Sequence, residues 1–102
     1  MIKASENDLR QLNLMTDCVA QFKAGSIPLR QLITTIEALL KMLGSLDQET
    51  RKRLREQWEI LEQVYSYAQA MRDGRIDADG EKLINRAVTL LDSLLKPWEK
   101  EQ

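Results

Sequence analysis

A chain of 102 residues can bury one domain core and has no room for a second lobe, so a single domain over residues 1–102 is expected. Hydrophobic residues at 43% and charged residues at 30% exclude a disordered composition, and 15 Lys+Arg against 16 Asp+Glu leave a net charge of -1, too little for a global field toward nucleic acid or acidic membranes. Histidine is absent, which removes the commonest general base and metal ligand, and the lone Cys18 has no disulfide partner in the chain.

From the start, Met1 is followed by IKASENDLR, which lacks the apolar run and small-residue cleavage site of a secretory leader. With no apolar run near 18 residues either, the expectation is a cytoplasmic protein with no membrane partner. The first helix is predicted from Ser5, whose side chain caps it while Asp8 returns the bond in a capping box. Leu9, Leu12, Met15, Val19 and Phe22 then share one face. Cys18 sits beside that face and reads as a buried, inert thiol, since no imidazole exists to activate it.

Gly25 suits the left-handed position after the last turn, and Ser26 is expected to recap a second helix with Ile27 and Pro28 in its opening turn. Leu29, Leu32, Ile33, Ile36, Leu39, Leu40 and Leu43 form its wide apolar stripe until Gly44. Ser45 and Gln48 suggest another capping box, after which nothing interrupts the chain before Gly74, predicting a third helix of roughly 26 residues, about 39 Å long. RDGRIDADGEK is the main loop. Asp77 or Asp79 is the expected cap of a fourth helix, with Leu83, Ile84, Ala87, Leu91, Leu94 and Leu95 apolar and Pro97 ending or kinking it. The short connections favour antiparallel neighbours: an all-α, antiparallel up-down four-helix bundle with a long central third helix.

On that third helix Leu54, Trp58, Leu61, Tyr65 and Ala68 form one stripe, and Ile60, Val64, Tyr67 and Met71 form a second beside it. Trp58 and Tyr65 read as core, with polar tips at the rim. Glu59 and Glu62 lie on the opposite arc. Either they are a solvated face, with Arg55 and Glu59 paired four residues apart, or they are an acidic contact surface.

Other chemistries fit poorly. Paired carboxylates on the outside of a compact bundle lack the dry pocket that separates catalytic pKa values, so no enzyme is expected. Asp77-Ala-Asp79-Gly80 resembles part of a calcium loop, but aligning Gly80 with its sharp turn puts Arg75 and Arg86 at the first and last ligand positions. No metal or cofactor is therefore expected. RKRLR, residues 51–55, is the one basic cluster, and the acids that follow it at Glu56, Glu59 and Glu62 argue against direct nucleic-acid binding.

Two segments carry a resemblance. FKAGSIPLRQLI, residues 22–33, and WEILEQVYSYA, residues 58–68, resemble small helical immunity proteins encoded beside bacterial toxins, among them partners of contact-dependent growth-inhibition toxins and, more loosely, colicin D-type immunity proteins. The likeness spans residues 9–95. It implies a protein without activity of its own that binds a cognate toxin domain, typically a nuclease, and covers its active site or substrate surface. The resemblance further implies carboxylates around an aromatic anchor, with Glu59 and Glu62 supplying charge, Tyr67 a rim contact, and Asp77, Asp79 and Glu81 a second acidic edge. Such an inhibitor acts as a monomer in its complex. Two rivals stand beside it: a homodimeric or adapter bundle joined through Ile60, Val64, Tyr67 and Met71, and a small nucleic-acid regulator using Arg51, Lys52 and Arg53.

Overall fold

The computed structural model describes residues 5–98, so the ends of the expected 1–102 domain lie outside the described residues. Four helices, α1 (Glu6–Lys23), α2 (Leu29–Met42), α3 (Gln48–Met71) and α4 (Ala78–Leu95), are followed by a 3-10 turn at Lys96–Trp98, and no strand occurs among the described residues.

The caps show how each helix is set. Ser5 Oγ accepts from the Asp8 N–H at 3.1 Å, as expected, but Asp8 makes no return bond and spends its carboxylate elsewhere. Gly25 ends the first turn region at φ 80°, yet Ser26 does not cap α2, which starts at Leu29 with Pro28 as an N-cap lacking a side-chain bond. The reason is Pro28 itself, which disfavours helical geometry at Ile27. For α3 the cap is Asp47 rather than Ser45: its carboxylate accepts from the Thr50 N–H at 3.0 Å and the Thr50 hydroxyl at 2.8 Å. An ionised acceptor two residues nearer the helix outcompetes the hydroxyl. Asp77 caps α4 by accepting from the Gly80 N–H at 2.8 Å.

α1 packs on α2 and α4, α2 on α3, and α3 on α4, with no diagonal contact among the described residues. That ring is the expected four-helix bundle. Asn7, at the start of α1, donates to the carbonyl of Met42 at the end of α2 across 3.1 Å, which fixes the two as antiparallel. The interior is filled by Leu12, Met15, Val19, Leu32, Ile36, Leu54, Leu61, Ala87 and Leu91, all fully buried. Each large side chain among them contributes about 1.5–3 kcal/mol by leaving water. No helix among the described residues is long and apolar enough to cross a membrane.

Helix lengths then decide the shape. The Trp58 indole N–H donates to the Ile33 carbonyl at 2.9 Å, which puts these two residues at one level of the bundle. Above that level α2 retains only Ile33 back to Leu29, whereas α3 continues to Met71. The difference of about nine residues makes α3 overhang α2 by roughly 13 Å. The domain measures 42 × 25 × 19 Å. At 24 residues α3 is the longest helix, two short of expectation, because Asp73 at φ 54° and Gly74 at φ 83° turn the chain after Arg72.

One expected core position differs. Leu83 is 48% exposed and Leu94 only half-buried, because Gly80, Ile84, Ala87, Leu91 and Leu95 take the inward face of α4. Leu83, Leu90 and Leu94 point instead along the outer seam with α3.

Candidate functional site

The six expected contact residues fall on three surfaces. Glu59 is exposed on α3, and Glu62 lines a shallow hollow between α2 and α3 with Arg30, Glu37, Trp58 and Tyr65. The expected Arg55–Glu59 ion pair does not form, and neither glutamate pairs with a cation among the described residues. Glu62 instead accepts from the Ser66 hydroxyl at 2.6 Å. Tyr67, Asp77 and Asp79 meet at the seam between α3 and α4. Glu81 faces away from both, in a hollow with Phe22, Leu29 and Ile84. Asp77 is largely committed to structure, since it caps α4 and pairs with Arg72 at 3.1 Å.

Two hollows lie along the α3–α4 seam. Its upper half, about 380 Å³, is walled by Ile60, Val64 and Tyr67 from α3 and by Ile76 and Leu83 across from them, with Arg72, Arg75, Asp77 and Asp79 at the rim. Gly80 forms the floor. A Cβ there would stand 2.9 Å from Ile76 Cγ2 and 3.2 Å from Val64 Cγ1, so the two helices approach this closely only because the position lacks a side chain. The lower half, about 300 Å³, has Leu90 and Leu94 on one side and Glu49, Lys52, Arg53, Glu56 and Gln57 on the other. Gln57 Oε1 is buried there without a hydrogen-bond partner.

Exposure is concentrated along the outer side of α3 and α4. Among the described residues the large apolar side chains left in water are Leu14, Met42, Tyr67, Met71, Leu83 and Leu90, and the last four all belong to α3 and α4. Tyr67 and Met71, at 58% and 68% exposed, sit on the part of α3 that no part of α2 reaches. Residue spacing exposes the α3 stripe but not Leu83 and Leu90. The signal for those was their seven-residue interval, which places them together on one side of α4.

Three other groups are accounted for by structure. Cys18 is buried, and burial pushes its thiol up, against a smaller lowering from a Thr35 hydrogen bond. Asp8 is fully buried, with its carboxylate accepting from the N–H groups of Gly44 and Ser45 at 2.9 Å each and from the Ser45 hydroxyl at 3.1 Å. Burial alone would push Asp8 up, but these hydrogen bonds outweigh it and hold the carboxyl below the ordinary value. RKRLR does not make one patch: Arg53 pairs with Glu49 at 2.9 Å beside α4, while Arg51 and Arg55 lie around the helix from it.

In comparisons with known proteins, no family model, curated protein or solved structure matches the chain.

Proposed function

We propose that this chain is an immunity protein that binds a cognate toxin domain, a nuclease in the first instance, and covers its active site or substrate surface. The support in sequence is the likeness of residues 22–33 and 58–68 to small helical immunity proteins. The observation that carries the reading is the state of Glu59 and Glu62. They stand one turn apart on α3, neither in an ion pair among the described residues, with the partly exposed rings of Trp58 and Tyr65 beside them. Free carboxylates around an aromatic anchor suit the basic cleft of a nuclease. They steer the encounter and discriminate partners more than they add raw affinity, which is what an inhibitor racing a substrate requires.

The mechanism is occlusion. A domain held rigid by its own core presents this face without reorganising, so little ordering cost falls on association. A standard interface of roughly 1,600 Å² in total would cover the mouth of a small catalytic domain.

The experiment is to express the protein encoded immediately upstream, with and without this chain. Toxicity alone, restored growth together and co-purification of the pair are expected. A neighbour that is harmless, or that fails to bind, overturns the reading. In the complex, Glu59→Lys with Glu62→Lys should weaken binding at least a hundredfold while changing the melting temperature little, because Glu59 is exposed and the half-buried Glu62 holds only a hydrogen bond from Ser66 on its own helix.

A further inference from the structure

We infer that the partner bound at Glu59 and Glu62 also inserts one large, uncharged apolar side chain into the upper hollow between α3 and α4. The inference rests on the toxin-binding reading and names the chemistry that the toxin must present beside its basic groups.

Position comes first. Glu59, Gln63 and Tyr67 follow one another at four-residue intervals on α3 and all three are exposed, so they form one row along the outside of the helix. Gln63 and Tyr67 are also part of the wall of the upper hollow. The carboxylate face therefore adjoins the hollow, and Tyr67 belongs to both. Glu59 and Tyr67 stand about 12 Å apart along the helix axis. A standard interface is roughly 30 Å across on each partner, so a toxin centred on this row closes the mouth of the hollow.

Closure creates a packing requirement. Ile60, Val64 and Leu83 make the walls apolar, and the missing side chain at Gly80 leaves the floor low. A space of about 380 Å³ shut off and left empty would forfeit dispersion contacts on every wall. Water trapped against such walls finds too few hydrogen-bond partners. An apolar side chain from the toxin removes both penalties.

The rim argues against a charged occupant. Arg72 is paired with Asp77 at 3.1 Å, and Arg75 and Asp79 add one charge of each sign, so no net charge is on hand to offset a buried ion. These groups instead make a polar ring around a desolvated centre, the arrangement in which one side chain carries much of the binding energy. The two halves of the interface then act at different times. The carboxylates work during approach, through salt-sensitive attraction, and the anchor works after docking, by slowing release.

The test uses the complex with the protein encoded immediately upstream. Leu83→Asn, at a half-exposed position, should change the melting temperature little. It should weaken the complex at least about tenfold, through faster dissociation and by the same factor at low and high salt. Glu59→Lys with Glu62→Lys should act on association instead, with an effect that shrinks as salt rises. In the wild-type complex, methyl NMR should show contacts from an apolar side chain of the toxin to the methyl groups of Val64 and Leu83. Methyl groups that keep their free-state shifts in the complex, or a Leu83→Asn complex as tight as wild type, would overturn the anchor and leave the toxin reading standing. Absence of any complex overturns both.

Discussion

The two ends of this bundle are built on opposite principles. At the base, the start of α1, the α2–α3 turn and the closing 3-10 turn converge, and even loop residues are buried: Leu43, Leu46 and Trp98 are 5%, 2% and 4% exposed. Asp8 locks the turn by taking both backbone N–H groups that follow the end of α2. At the far end, α3 runs past the start of α2, and Tyr67 and Met71 stand in water. The base keeps its polar groups satisfied internally, whereas the overhang leaves apolar surface whose natural partner is outside the chain. In a small helical domain, stability and recognition are thus separated by the lengths of neighbouring helices.

If that division is right, substitutions should sort by end. The largest loss is expected from Leu61→Ala, a fully buried residue at the centre of α3, at about 3 kcal/mol of unfolding free energy in a denaturant titration. Next comes the base lock: Asp8→Ala strands the N–H groups of Gly44 and Ser45 and should cost about 2–3 kcal/mol. A loss under half a kcal/mol would show that the turn holds itself.

Asp8 also predicts a pH dependence. Its folded-state pKa is depressed, so its stabilisation is present above the ordinary carboxylate value near 4 and is lost as pH falls through and below it. The melting temperature should drop more steeply below about pH 4 in the wild type than in Asp8→Asn. Asp47, lowered first by the Thr50 N–H and then by the Thr50 hydroxyl, leaves the variant some residual slope.

Gly80→Ala sharpens the boundary between the two ends. The added methyl meets Ile76 and Val64, so a net loss of about 1 kcal/mol is expected despite the better helix propensity of alanine. Stabilisation instead would mean that the groove floor relaxes freely. The smallest effect belongs to the overhang: Tyr67→Ser and Met71→Ser should each change stability by less than about 0.5 kcal/mol. A larger change at either would erase the contrast between the ends.

Much of the architecture was legible in residue order, because periodicity and punctuation are local. Gly25, Gly44, Gly74 and Pro97 divide the chain, and the interval of three and four between apolar residues makes each segment a helix. What failed were competitions between neighbours. Asp47 displaced Ser45 as the α3 cap, and Asp8, read as half of a local capping box, serves a turn 36 residues away. The expected contact residues rested on the resemblance and on their charge, neither of which fixes the side of the molecule a residue faces, so Glu81, which shares the acidic loop with Asp79, turned out to face another side.

By itself, the sequence determined the helices, their order and the inward stripe of each, since all three follow from spacing along one chain. Only the tertiary structure decided the level at which α2 meets α3, hence how far α3 overhangs and that Tyr67 and Met71 remain in water. That level is set by contacts between residues distant in sequence, Trp58 with Ile33 and Asp8 with Gly44 and Ser45, and no local pattern encodes the distance between them.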